Sequence, residues 1–303
     1  MKLFLKYTVA EEYRGLTVEV YLKHILQHSG RKVQKLTRQK GILVNGKTVY
    51  LQRKLIPGDI LSILVPEDTS YGVKPEPGPV EILFEDDYIV ILNKPPYLLV
   101  HPVGQTSQGT LANYLAYYYQ QSRKVCTIRP LHRLDRETSG CVVFAKDART
   151  QTLLEKCLHN GTLKRTYLAI VQGIVIPAAG TIDAQIGPHP TLPNRRSIGN
   201  NGDPAITHYK TVQTWGNTSL LELTLETGRT HQIRLHLKYI GHEIVGDKMY
   251  GSRSQLIARQ ALHAVSVSLI HPKDNRRITV HAPIPPDLDQ VLHNLNLDIK
   301  KGL

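Results

Sequence analysis

The sequence predicts an α+β protein in two domains. Three observations carry that reading. At 303 residues the chain exceeds a single domain of ordinary size. A proline- and glycine-rich stretch, YGVKPEPGP, occupies Tyr71–Pro79. Beyond it, short apolar stretches of strand character alternate with turns and a few helical segments. The prolines and glycines of 71–79 keep that backbone out of helices and sheet interiors, so it reads as a linker between a domain at 1–70 and a larger one at 80–303.

The first domain is small and basic. Arg31, Lys32, Lys35, Arg38 and Lys40 crowd together, and positions 31, 35 and 38 fall at helical spacing. They form one positive stripe suited to the phosphates of a nucleic acid, although a charge run on a helix is also what a solvated face looks like. Ile42–Val44 and Lys47–Tyr50 then flank Asn45-Gly46, a dipeptide suited to a two-residue hairpin turn, and Pro57-Gly58-Asp59 marks another turn before Ile60–Val65. A basic helix leading into a VNGK hairpin and a PGD turn resembles the S-four-like RNA-binding module, across about residues 12–67. The resemblance implies a small α/β RNA-binding domain that uses Arg31, Lys35 and Arg38.

In the second domain, Val80–Leu92 reads as two strands parted by Glu85-Asp86-Asp87, and Pro95 and Pro96 stiffen the segment after them. Leu111–Gln121 reads as a helix with Leu111, Leu115 and Tyr118 on one face, and Tyr117, Tyr118 and Tyr119 as core-edge residues. Next comes HRLDRETSG, His132–Gly140, in which Asp135 stands between Arg133 and Arg136. A carboxylate between guanidinium groups is held as an anion, which suits a nucleophile or electrostatic partner and not a proton donor. Gly140 turns the chain into an apolar strand, Cys141–Ala145. Leu163–Gly173 is β-branched and aromatic and reads as a strand carrying Tyr167, Ala169 and Val171 on one side. In Leu220–His242, alternation of Leu221, Leu223 and Leu225 with polar residues gives a strand, which Gly228 breaks. A helix comes next with Ile233, Leu237 and Ile240 as its apolar stripe and Arg234 off that stripe.

HRLDRETSG resembles the signature of the RluA-type pseudouridine synthases, in which the aspartate of the HRLD segment is catalytic. The opening strand with NKP and VHP, Tyr167 in LKRTYLAIVQG, TGRTHQIR ending at Arg234, then GDKMYG, ALHA and HAPIPPDL occur in the expected order over roughly residues 80–290. The resemblance implies a catalytic domain on a largely antiparallel mixed sheet, with Asp135, Tyr167 and Arg234 catalytic and Asp135 ion-paired to the basic residue closing the third motif. Arg234 is favoured for that pairing, and Arg229 is the competing candidate. Arg133, Arg136, Arg229, Arg195 and Arg196 are implied as RNA contacts, with Arg133 filling the space a flipped nucleotide vacates. Asp203 departs from the pattern, standing where relatives commonly carry a basic residue ahead of PA-x-T-x-Y. GDKMYG, ALHA and HAPIPPDL read as structural, and His263 as a core histidine.

A formal charge of +13 makes a polyanion the expected partner, RNA above all, whether ribosomal or transfer. No apolar run approaches the roughly 18 residues of a spanning helix. MKLFLKYTVAEEYRG lacks the apolar core of a secretory signal, and Cys126, Cys141 and Cys157 show no paired spacing, so the cytoplasm is expected, while the lack of heptads and of an apolar surface repeat leads to the expectation of a monomer. His231 and His236 diverge on a helix and no H-E-x-x-H occurs, so no metal is expected, and uridine isomerisation requires no cofactor. Large-subunit ribosomal RNA is the substrate the resemblance favours. The alternative is a non-catalytic RNA-binding or ribosome-assembly protein on the same fold, which leaves the joint presence of Asp135, Tyr167 and Arg234 without a purpose.

Overall fold

Alternating apolar residues and an Asn-Gly turn build the first sheet of the computed structural model, which describes residues 3–26, 28, 30–65, 68–199 and 201–297. The chain divides into two units, Met1–Asp68 and Thr69–Leu303. In the first, β1 (Leu3–Thr8) precedes a short helix, α1 (Val18–Val20), whose first turn is capped by the Thr17 hydroxyl accepting from the Val20 amide at 3.2 Å. After α2 (Gly30–Arg38) come β2 (Ile42–Val44), β3 (Lys47–Thr48) and β4 (Ile60–Val65), in an antiparallel sheet of order β1-β4-β2-β3. The β2–β3 turn holds Asn45 at φ 53° and Gly46 at φ 79°, the left-handed pair a two-residue hairpin needs. Asn45 is also tied across the sheet, its side chain accepting from the Ile60 amide at 2.8 Å and donating to Asp59 at 2.7 Å. Val33 and Leu36 of α2 are buried, which leaves Lys35 and Arg38 exposed on the opposite side. The side chain of Arg31 lies outside what the structure describes.

The second unit opens with β5 (Glu81–Glu85), β6 (Ile89–Lys94) and α3 (Leu111–Gln121), then β7 (Arg129–Pro130), β8 (Ser139–Ala145) and α4 (Ala148–His159). It continues through β9 (Lys164–Gln172), β10 (Ala179–Asp183), β11 (Ile186–Pro188), β12 (Arg196–Ile198), β13 (Ile206–Trp215), β14 (Thr218–Leu225) and α5 (Gln232–Tyr239). It closes with β15 (Leu262–Ile270), β16 (Arg277–His281) and α6 (Pro286–Asn294). The main sheet runs β10-β13-β14-β9-β15-β8-β6-β5, with β16 added to β15 and β7 to β8, while β11 and β12 form a separate ribbon. Its pairings are antiparallel apart from β8 with β15, which run parallel through Ser139–His263 and Gly140–Ala264. This is the mixed, largely antiparallel sheet of an α+β domain.

Period-two side chains explain why the central strands are apolar throughout. Val90 and Leu92 of β6, with Val142 and Phe144 of β8, enter the core that contains Leu111 and Leu115 of α3. Ile89 and Ile91, with Cys141 and Val143, enter the opposite core with Leu154 of α4. Both faces are covered, and each such aliphatic side chain contributes about 1.5–3 kcal/mol by leaving water. The buried face of α3 differs from expectation. Its arc runs through Leu111, Leu115 and Tyr119, so Tyr119 is 2% exposed and Tyr118 36% exposed. At 100° per residue Tyr119 lies at the centre of the arc, and Tyr118 at its rim, where its hydroxyl reaches Glu85 at 3.1 Å. The helix α5 is likewise more enclosed than one apolar stripe requires, since every residue from Gln232 to Leu237 is buried. Among the described residues no helix is long and apolar enough to cross a membrane.

Candidate active site

Asp135 sits on the loop between β7 and β8, and that loop is pinned from beneath by two buried cations. Lys94, at the end of β6, donates to the Arg136 carbonyl at 3.1 Å and to the Pro95 and Leu98 carbonyls at 2.8 Å. Burial, with the Arg259 charge adding to it and Asp135 opposing, pushes its pKa down to about 7. Arg259 donates to the Glu137 carbonyl at 3.0 Å and is itself held by Asp287 through contacts of 2.6 and 2.9 Å. Gln260 reaches the Thr138 hydroxyl at 3.3 Å. On the other side, the His132 Nε2 accepts from the Val143 amide at 3.2 Å, so its proton resides on Nδ1, which is buried without a partner. Burial, reinforced by the Arg165 charge, takes the His132 imidazole down to about 3 and keeps it neutral.

The guanidinium of Arg234 links two carboxylates. Its Nη1 donates to Asp135 Oδ2 at 3.1 Å, while Nε and Nη2 grip Asp247 in a bidentate pair at 2.7 and 2.8 Å. Asp247 is fixed in turn by the amides of Met249 and Tyr250, at 3.0 and 3.1 Å. Arg234 is 6% exposed and Asp247 1%. Burial alone would lower the arginine's pKa, but the two carboxylates outweigh it and hold that pKa above the ordinary value. Burial likewise pushes the Asp247 carboxyl up, and the hydrogen bonds from Arg234 bring it below its usual range. The Tyr250 ring lies 5.1 Å beneath the guanidinium carbon, and its hydroxyl meets His231 Nδ1 at 2.8 Å. His231 takes a left-handed conformation, φ 60°, at the start of α5, a strained backbone for a residue with a side chain.

A cavity of about 550 Å³ opens above this arrangement, lined by Asp135, Arg234, Tyr167, Arg165, Arg133 and Arg229 among others. It thus joins the three separated segments that the sequence led one to expect together. Tyr167, on β9, is 4% exposed, and burial raises its phenol pKa, with the adjacent Arg165 charge pulling the other way. The Tyr167 ring, the Asp135 carboxylate and several cations around a volume of this size suit a single planar base attached to a phosphodiester chain.

The remaining expected residues are distributed more widely. Arg133 is exposed at the cavity wall. Arg136 is exposed and donates to the Tyr97 carbonyl at 3.4 Å. Arg229 lines the cavity without pairing with Asp135, donating to the Pro204 carbonyl at 3.1 Å and lying 3.6 Å from Asp203. The acidic departure at 203 therefore holds Arg229 on the loop before β13. Arg195 and Arg196 are half-buried at the β11–β12 ribbon and do not line the cavity. Lys35 and Arg38 belong to the first unit. His263 is buried, with Nδ1 at 2.9 Å from the Ser139 hydroxyl. Lys94, Arg165, Asp247 and Arg259 escape sequence reasoning. NKP and GDKMYG are visible signals for two of them, but by themselves they read as turns.

A half-buried aspartate paired with an arginine in a cationic cavity is an arrangement suited to chemistry on a polyanionic substrate. The family described as RNA pseudouridylate synthase matches residues 88–239, and the one described as RluD ribosomal pseudouridine synthase N-terminal domain matches residues 5–61. The chain is 40% identical over 286 residues to an uncharacterized RNA pseudouridine synthase of Bacillus subtilis, YhcT, covering 94% of this chain and 95% of that one. It is 33% identical over 310 residues to the ribosomal large subunit pseudouridine synthase D of Escherichia coli, covering 97% and 95%. Among solved structures, human RNA pseudouridylate synthase domain containing 1 aligns with a TM-score of 0.57 at 26% identity, over 74% of this chain and 98% of that one. The chain belongs to the RNA pseudouridylate synthase family, isomerases that act on RNA.

Proposed function

We propose that this chain converts uridine to pseudouridine in large-subunit ribosomal RNA, with Asp135 as the catalytic carboxylate. The observation that carries the reading is the Asp247–Arg234–Asp135 chain, which presents one carboxylate to a cavity shaped for a base. Asp135 attacks the ring at carbon 6 or the anomeric carbon, or removes a sugar proton to give a glycal. In each route the glycosidic bond breaks, the uracil turns and carbon 5 takes the place of N1. Arg234 keeps the carboxylate charged and aimed, Tyr167 covers the base, and the RNA seated over the open cavity keeps water from the detached intermediate. The nucleotide must leave the stack, at a cost of roughly a few kcal/mol, and Arg133 at the cavity mouth takes its vacated place. Arg136, Arg195, Arg196 and Arg229 hold the surrounding backbone, and Arg31, Lys35 and Arg38 also contact the RNA.

The substrate assignment draws on the relatives named for the large ribosomal subunit. A ribosomal RNA substrate goes with action in the cytoplasm, as a monomer and without metal. The test is to map pseudouridines in ribosomal RNA from cells lacking the gene. A site that is lost, and restored by the wild-type gene, supports the assignment. Unchanged ribosomal RNA overturns it and directs the search to transfer RNA.

A further inference from the structure

One cation in the cavity has no task in the chemistry proposed for Asp135. Arg165 lies two residues before Tyr167 on β9, so both side chains leave the same face of the strand, and both line the cavity. It is 5% exposed. Its Nη2 donates to the Thr227 carbonyl at 3.3 Å, its Nε is buried without a hydrogen-bond partner, and among the described residues no carboxylate pairs with it. Gly228 makes room for it, since a Cβ there would stand 3.2 Å from Nη1. Leaving a guanidinium buried, unpaired and with an idle donor is costly unless something arrives to use it. The neighbouring imidazole is no such partner, because His132 is neutral with Nε2 committed to the Val143 amide.

We propose that Arg165 is a further catalytic residue, whose guanidinium faces the uracil and takes up the negative charge the base acquires as its N1–C1′ bond breaks. The electron pair of that bond leaves with the base and spreads over N1, O2 and O4. Arg165 donates a hydrogen bond to one of these atoms without giving up its proton. Carbon 5 then bonds to C1′ and the ring charge is discharged. Loss of the C5 proton to a base, with a proton gained at N1, completes the isomerisation. A fixed cation of this kind stabilises charge that appears only beyond the ground state, so its effect falls on turnover more than on binding. The inference rests on the synthase reading above.

The experiment is single-turnover conversion of an RNA fragment spanning the mapped target, synthesised with uridine or with 5-fluorouridine there, read as loss of the starting nucleoside after digestion. Fluorine makes the base a better leaving group, and because C5 then carries no proton the rate reports bond cleavage and C–C formation alone. Arg165→Met should slow uridine conversion by roughly 10²–10³-fold, the usual loss on removing a charge-stabilising donor, with RNA affinity little changed. The defect on 5-fluorouridine should be smaller by at least about tenfold, or about 1.4 kcal/mol. Thermal unfolding reports whether Arg165→Met is folded, and if it is not, Arg165→Gln is read by the same ratio. Equal defects on the two RNAs, an unchanged rate, or a loss confined to RNA affinity overturns the assignment. If the wild-type protein converts neither RNA, the synthase reading fails and this inference with it.

Discussion

A carboxylate is only as well aimed as the guanidinium beside it, and Arg234 owes its place to Asp247. The bidentate grip at 2.7 and 2.8 Å leaves Nη1 alone free to face Asp135. Asp247→Asn weakens that grip, and a displacement of about 1 Å at a reacting group costs on the order of 10²-fold in rate. The expected result is a kcat lower by that amount with the KM for RNA nearly unchanged, and a lower melting temperature because Arg234 stays buried with one partner weakened. A raised KM with full kcat would make Asp247 an RNA contact. Asp135, Tyr167 and Arg234 were legible in the sequence because each lies in a string whose mixed chemistry has a family resemblance. Asp247 and Arg165 lie in such strings too, GDKMYG and LKRTYLAIVQG, but their roles were not legible, because a charged residue does not announce its partner, and the atoms each meets lie 13 and 62 positions away. Asp203 shows the same limit, since the cation it lies beside, Arg229, comes much later in the chain.

At the scale of elements, the loop that carries Asp135 leads into β8, which pairs in parallel with β15. Gly140 meets that pairing at φ 111°, and a Cβ there would collide with the backbone of Ala264. Gly140→Ala therefore requires two central strands to separate, and should destabilise the protein by about 3 kcal/mol or more through overpacking and backbone strain together. Chemical denaturation measures this, and a change below about 1 kcal/mol, the range of tolerated core swaps, would show that the strands yield easily. The glycine was visible as a turn, but its real constraint was invisible, because the strand it touches comes more than a hundred residues later. Local geometry was easier to read. The Asn45-Gly46 hairpin, the two strands around residues 85–87 and the helix at 111–121 all arise from nearest-neighbour chemistry. The buried face of that helix was misread because its two neighbouring tyrosines, 118 and 119, are chemically alike and only the packing tells them apart.

For the whole molecule, charge and burial predict opposite kinds of sensitivity. A formal charge of +13 means RNA binding displaces counterions, so affinity should fall steeply and log-linearly with added salt, and a flat response would contradict the cationic cavity. Stability should depend on pH through buried neutral histidines. Burial lowers His263 from 6.5 to about 4 and His132 from 6.5 to about 3. Below pH 6.5 the unfolded chain therefore takes up protons that the folded chain refuses, so acid favours unfolding. Each histidine contributes stability that is fully present above pH 6.5 and is lost towards pH 4 and 3, by about 1.4 kcal/mol per pH unit. Melting temperatures should fall from pH 6.5 downward, and a curve flat through that window would place these imidazoles in contact with water.

The central claim, that Asp135 performs chemistry on a bound uridine, is tested most directly by tritium release. Ribosomal RNA labelled at carbon 5 of uridine, from cells lacking the gene, is incubated with the wild-type protein and with Asp135→Asn, and RNA affinity is measured for both. Release by the wild type alone is expected, with comparable affinity for the two proteins. Release by Asp135→Asn at the wild-type rate would contradict it and remove the carboxylate from the mechanism, and loss of binding in that variant would make Asp135 a scaffold for the loop.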